Sequence, residues 1–303
     1  MAKEKDHSGK YRLSAGDVIF NIINYTVFGV FAIICFFPFY YLFINTISDN
    51  DLVRTGQITF YPIGIHFQNY IALRNVSELG SSALVSISRT ILGTAVMVIA
   101  SAFVGYLATK QEMWGRKFCY RMLVITMYFN AGLIPMYLTI SMLGLIDNYW
   151  VYIIPGIISP YNIMLVKTYI ESIPGELEES AKIDGASYVK IWWNIILPLS
   201  KPILATIAIF GAVGHWNSFT DSMLYMPTKS NLYSLQYRLY IYLQTQTNLQ
   251  DMLQKDAGAM QSMLNMRTIQ LTVAMVTILP ILFVYPFMQR YFEKGIMIGA
   301  VKG

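Results

Sequence analysis

Six stretches free of Asp, Glu, Lys and Arg recur along the chain, at 27–44, 90–109, 122–140, 148–166, 202–219 and 269–288. Each approaches the ~20 apolar residues that a helix needs to cross a bilayer. The pattern predicts an all-α membrane protein with six transmembrane helices. Polar Asn21 and Asn24 precede the first stretch and Pro38 lies inside it. The run is long and no small-residue cleavage site follows, so it reads as an uncleaved first span rather than a signal peptide. Gly211, Gly214, His215 and Asn217 dilute the fifth stretch. Pro135, Pro155 and Pro280 fall inside others, where neighbouring helices can satisfy the freed backbone groups.

Basic residues orient the spans, because Lys and Arg accumulate on the cytoplasmic side. With the N-terminus inside, the inner segments hold fifteen, among them Lys3, Lys110, Arg116, Lys182 and Lys302. The outer loops hold six, Arg54, Arg74, Lys229, Arg238, Lys255 and Arg267, and Arg89 sits at a boundary. Both termini are therefore expected in the cytoplasm. Two outer segments are long, at about 48–89 and 220–268, and the second is rich in tyrosine. Aromatic residues are enriched at interface cores, so that segment is expected to meet another protein.

One charged island interrupts the apolar second half, at 174–202. Pro174 suits a first helical turn, and Glu176, Glu178 and Glu179 sit near the positive end of the helix dipole. Glu178 and Lys182 form a favourable i,i+4 pair, and Gly185 can close the helix in the left-handed conformation. Ser187 is then placed to cap a second helix with Val189, Trp192, Trp193 and Ile196 on one face, ended by Pro198. The pattern predicts two short cytoplasmic helices hinged at a glycine between spans four and five.

Composition excludes several classes. At 55% hydrophobic and 13% charged, with a positive mean hydropathy, the chain is too apolar for an ordinary soluble domain. The net charge of +5 follows from the loop bias and implies no nucleic-acid partner. Cys35 and Cys119 lie far apart, and His7, His66 and His215 form no cluster, so no disulfide framework or metal spacing is present. No P-loop, nucleophile elbow or zinc-protease motif occurs, so neither an enzymatic activity nor a cofactor is expected. The spans lack the ionisable relays of a proton-coupled carrier. His215 reads as a helix-packing partner. A passive channel or ion-coupled carrier would explain the spans but leave the charged island idle.

Glu179-Ser180-Ala181, Asp184, Gly185 and Leu197-Pro198 resemble the EAA loop of bacterial ABC importer permeases, with Ser180 where the family usually has alanine. The resemblance runs from about Ser81 to the end. IPGELEESAKIDGAS, LPLSKPILAT, HWNSFTDSMLYM and the closing residues 295–303 look like the carbohydrate-type branch that includes the smaller maltose permease subunit. It implies residues 1–17 as a cytoplasmic tail, 18–80 as the first span and outer loop, 81–292 as the importer module and 293–303 as a cytoplasmic tail near the ATPase. It further implies a bacterial plasma-membrane subunit that works by alternating access. Its partners would be a second, homologous permease subunit, two ATP-binding subunits, an extracellular solute-binding protein and membrane lipid. The cargo would be a carbohydrate, with an oligosaccharide foremost and a peptide or other solute as the alternative. Glu178, Glu179, Ser180, Ala181, Asp184, Gly185 and Pro198 would couple the chain to the ATPase. Arg89, Asn130, Trp216 and Asn217 are candidates for the substrate path, although Arg89 could instead snorkel to the surface and Trp216 anchor at the interface.

Overall fold

A computed structural model describes residues 14–73, 78–252, 267–284 and 286. The expected tails at 1–13 and 293–303 and the end of the sixth stretch at 287–288 lie outside the described residues. So does 253–266, the middle of the second long outer segment. The described residues are helical, with no strand among them.

Helix α1 spans Ala15–Thr46 and begins well before the apolar run, because Asp17 accepts a hydrogen bond from the Ser14 backbone N–H at 3.1 Å and fixes the first turn. Its buried residues are confined to the last turn, Ile44, Asn45 and Thr46. The rest of the shaft turns apolar side chains outward on every side, as suits lipid or another chain. Two short helices follow, α2 (Asn50–Arg54) and α3 (Gln68–Ala72).

Helix α4 (Leu79–Thr109) is the axis of the molecule. A turn leads to α5 (Arg116–Tyr128), and a break leads to α6 (Leu133–Met142). Both helices are too short to cross a bilayer alone, so the third expected span is divided at 129–132. The fourth is divided too. Two 3₁₀ turns, Tyr149–Tyr152 and Ile154–Gly156, meet α7 (Pro160–Ile170) at a bend of 43°.

The charged island forms α8 (Glu176–Ile183), α9 (Tyr188–Ile191), a π-helical turn (Trp192–Ile196) and α10 (Leu197–Leu199). Helix α11 (Lys201–Asn217) then leaves at 81° to segment Tyr188–Leu199. If α11 crosses the membrane, that segment lies nearly along its surface. The remaining helices are α12 (Thr220–Tyr225), α13 (Leu235–Met252) and α14 (Arg267–Val284).

By length and composition, α1, α4 and α14 can cross a membrane unaided, and the two bent pairs bring the number to five among the described residues. Helix α4 packs against α7, α11 and α13. Its C-terminal half shares a core with α7, α11 and the π turn: Ala102 and Tyr106 meet Val166, Ile170, Ile191, Trp192 and Ile207. Near its other end Val85 joins Ile140, Val151, Tyr152, Tyr225 and Met226.

The π turn corrects the expected face of the second short helix. Ile191, Trp192 and Ile196 are buried, whereas Val189 and Trp193 are exposed. A π turn takes more than 3.6 residues to close, so the five-residue spacing of Ile191 and Ile196 returns to one side. Pro198 does not end the helix either. It occupies the first turn of α10, where its missing N–H costs nothing, and the path stops at Ser200.

Candidate functional site

The break before α7 leaves irregular backbone at 157–159 between helical segments. In lipid such backbone is tolerated only where it is buried in protein or lines an aqueous cavity. A cavity of about 680 Å³ lies there, walled by α4, α7, α11, α12 and the 3₁₀ turns. Aromatic Tyr152, Tyr161, Phe210 and Tyr225 line it, together with polar Ser159, Asn162, His215, Ser218 and Asp221.

Arg89 of α4 anchors this cavity. Its side chain is 1% exposed and faces Asp221 of α12, itself 20% exposed. The pair is bidentate: Nη1 donates to Oδ1 at 3.1 Å and Nη2 donates to Oδ2. The guanidinium lies 4.3 Å over the Tyr152 ring, while the Tyr152 hydroxyl donates to the Leu232 carbonyl at 2.8 Å and lies 2.9 Å from Ser222 Oγ. An arginine is always charged, so burying it demands such a partner. His215 wedges against α4. A Cβ added to Gly93 would meet its ring at 2.5 Å, so a side chain there would collide with the imidazole. Asn162 is buried, and its amide donates to the Met97 thioether at 3.2 Å, a weak acceptor that leaves hydrogen-bonding capacity for a ligand.

Carboxylates also pin the loops at this end. Glu78 and Asp147 are the non-glycine residues with positive φ among the described residues, at 61° and 53°. Ser230 donates to Glu78 at 2.8 Å and Arg238 donates to it as well, which together hold its carboxyl below the usual carboxylate range. Asp147 accepts from the Thr228 hydroxyl at 2.7 Å and from the backbone of Thr228 and Lys229, with the same effect.

The second constellation lies at the other end of α4. Helix α8 turns Glu178, Ala181 and Lys182 toward the molecule, and Glu179, Ser180 and Asp184 are exposed. Gly185 has φ +77°, the left-handed closure expected of it. Ser187 caps α9 through the Lys190 backbone N–H at 3.4 Å. Lys110 bonds Glu178, whose other oxygen faces Lys182 at 3.4 Å, and Lys182 reaches Glu112 at 3.4 Å. Burial opposes the charge on Lys182, but Glu178 and Glu112 outweigh it and its pKa rises. The Glu112 carboxyl is held down by its own backbone N–H and by Lys182.

Of the four expected path residues, the structure brings Arg89 to the cavity. Trp216 turns the other way, its indole donating to the Thr277 carbonyl at 3.0 Å. Asn130 stands exposed in the link between α5 and α6, and Asn217 is exposed at the end of α11. Sequence reasoning missed Asp221, Asn162, Tyr152 and Lys110. An acidic residue two positions past the fifth stretch was a usable signal for Asp221; nothing local marks the other three.

A cavity beside a broken span in a helical membrane protein is an arrangement suited to a transport permease. The chain belongs to the family described as the binding-protein-dependent transport system inner membrane component, whose pattern matches residues 97–298. It is 35% identical to Protein LplC of Bacillus subtilis (strain 168), over 94% of this chain and 95% of that one. It is 34% identical to the polygalacturonan/rhamnogalacturonan transport system permease protein YtcP of the same organism, over 94% and 99%. A crystal structure of a bacterial ABC transporter involved in the import of the acidic polysaccharide alginate matches with a TM-score of 0.81 at 30% identity, covering 93% of this chain and 99% of the other. The chain is thus an inner-membrane permease subunit of an ABC importer, with ATP hydrolysis in separate subunits. Membership implies partnership with another permease, ATP-binding subunits and a solute-binding protein.

Proposed function

We propose that the chain supplies one half of the path by which an ATP-driven importer moves an oligosaccharide across the bacterial plasma membrane. The cavity beside the broken span carries this reading. Its tyrosine and phenylalanine faces suit the C–H faces of sugar rings, and the Asn162 amide and Asp221 carboxylate suit vicinal hydroxyls. The named substrates of two similar proteins, polygalacturonan or rhamnogalacturonan and alginate, support a carbohydrate and favour one bearing carboxylates.

On this reading the chain crosses the membrane six times with both termini inside, the divided third stretch acting as one span. It pairs with a homologous but distinct permease, two ATP-binding subunits and an extracellular binding protein. Residues 81–292 form the importer module. Glu179, Ser180 and Asp184 face the ATPase, with Gly185 as the hinge that aims them and Pro198 at the turn into the membrane body. Glu178 and Ala181 act on the inner side of the same helix. Arg89 shapes the path, whereas Asn130, Trp216 and Asn217 would meet substrate only where this chain faces its partner.

The test is the purified complex in proteoliposomes with its binding protein, assayed for hydrolysis stimulated by oligogalacturonate, neutral oligosaccharides and peptides. Stimulation by a saccharide is expected, and stimulation by peptide alone would replace the cargo. A branched side chain at Gly185 has to adopt positive φ at a cost of about 1–2 kcal/mol. Gly185→Val should therefore insert normally yet lose ATPase association or stimulated hydrolysis. Full retention of both would remove Gly185 from the hinge role.

A further inference from the structure

The charged side chains between α8 and the inner end of α4 form a row of alternating sign, Lys110–Glu178–Lys182–Glu112. Two of its members, Lys110 and Glu112, flank the start of the turn after α4. The other two, Glu178 and Lys182, lie on the inward face of α8. Lys110 and Glu178 are 11% and 16% exposed, Lys182 and Glu112 37% and 61%. The row sums to zero charge, so it offers a docking partner little net field. Beneath it the Lys110 ammonium lies 4.1 Å from the centroid of the buried Tyr106 ring, and Ala181 packs against the core to which Tyr106 belongs. A small residue at 181 lets the two helices close far enough for the charges to meet.

Covalently, α8 joins the body through the turn after α7 and through the Gly185 hinge. Both routes reach α4 only through apolar packing, of Val166 and Ile170 on one side and Ile191 and Trp192 on the other against Ala102 and Tyr106. The Lys110–Glu178 bond spans 68 residues of sequence and links α8 directly to the helix that carries Arg89 at its other end. At 1.5 Å per residue, α4 is a rod of about 46 Å. A displacement of α8 reaches that rod directly, rather than through the packing of its neighbours, only if this polar contact is stiff.

We propose that Lys110 is a positioning residue that clamps α8 to the inner end of α4 through Glu178, so that movement of α8 is delivered along α4 to the cavity. This rests on the reading of α8 as the ATPase-coupling element. It also divides that element by role: Glu179 and Asp184 face the partner, whereas Glu178 holds the lever to its rod.

The test uses the full importer complex in nanodiscs and needs no cargo. Cys35 and Cys119 are replaced by serine, and Tyr161, exposed and lining the cavity, becomes the reporter as Tyr161→Cys. Its labelling by an impermeant maleimide is timed without nucleotide and with ATP and vanadate. The reference chain should change its labelling rate by about tenfold or more between the two states. In Lys110→Ala and Lys110→Glu that change should fall about tenfold, within the range of coupling between contacting residues, while the ATPase subunits still co-purify. The swap Lys110→Glu with Glu178→Lys restores attraction across the gap and should recover most of the response. A reference-like response in Lys110→Glu, or a swap no better than either single change, overturns the clamp. Loss of ATPase co-purification in Glu178→Lys, unrelieved by the swap, assigns Glu178 to the partner interface; it overturns the clamp and leaves the coupling reading standing. A reference chain whose labelling ignores ATP and vanadate overturns that coupling reading and the clamp with it.

Discussion

The two ends of α4 are held by opposite means. Near one end a single arginine, almost wholly buried, is gripped bidentately by Asp221 and covered by an aromatic ring. At the other, four charges share the contact and exposure grows from Lys110 to Glu112. The buried pair is held from several sides, Arg89 also donating to the Ser218 carbonyl at 3.4 Å and Asp221 also accepting from the Ser222 backbone N–H at 2.9 Å, so it fixes a shape. In the row Lys182 lies within reach of both carboxylates, and solvent screens the outer half, so that contact tolerates movement. A cavity that must fit a solute suits the first arrangement, and a joint in a moving lever suits the second.

Asp221→Ala breaks the contrast most severely, because it leaves Arg89 charged, buried and unpaired. A loss of about 3–5 kcal/mol is expected for an uncompensated buried charge. Thermal unfolding of the purified complex measures it, and an unchanged transition would mean that Arg89 is not committed to this partner. The matched apolar replacement, Arg89→Met with Asp221→Leu, should recover most of that stability while transport stays low.

A smaller effect is expected one turn farther along the same helix. Gly93→Ala drives a methyl group into the His215 ring at 2.5 Å, and overpacking of this kind costs about 1–3 kcal/mol. Trimming the ring with His215→Ala should relieve the clash. If the double variant is no more stable than Gly93→Ala, the contact between α4 and α11 is set elsewhere.

The smallest effect belongs to the exposed end of the row. Glu112→Gln should leave unfolding unchanged at high salt and shift it slightly at low salt. Because the folded Glu112 carboxyl titrates below its ordinary value, its contribution is present at neutral pH and is lost as pH falls through the folded pKa. Lys182 titrates above its ordinary value, so its contribution persists until strongly basic pH. Protection from salt equal to that of the Arg89 pair would erase the distinction between the two ends.

The charged island was legible in the sequence because its signals are local. Three glutamates at a helix start, a glycine at the hinge and a serine cap act within a few residues of themselves, and each stands where expected. The π turn was not legible: nothing in Trp192–Ile196 departs from an ordinary helical pattern, and burial against α4 and α11 decides the register. Long apolar helices at the first, second and sixth stretches were legible from apolar length, but the breaks at 129–132 and 157–159 depend on what fills the space beside them. Arg89 was visible as an anomaly at the edge of an apolar run. Its fate was not, since Asp221 lies 132 residues away and only the folded bundle joins them.

That separation imposes an order on biosynthesis. Helix α4 leaves the ribosome with Arg89 inside it, and Asp221 follows only after 132 further residues, about 7–26 s at 5–20 residues per second. During that interval the membrane holds a charged helix with no counter-ion, at a cost of up to ~3 kcal/mol if the arginine lies near the bilayer centre. The first half of the chain is therefore expected to be less stable in the membrane by itself. A nascent protein stopped before α12 should remain with its insertion machinery or be degraded, whereas one stopped after α13 should persist, and pulse-chase of the two truncations reads the difference. The ion pair that shapes the cavity thus also ties the stability of the first half to the arrival of the second.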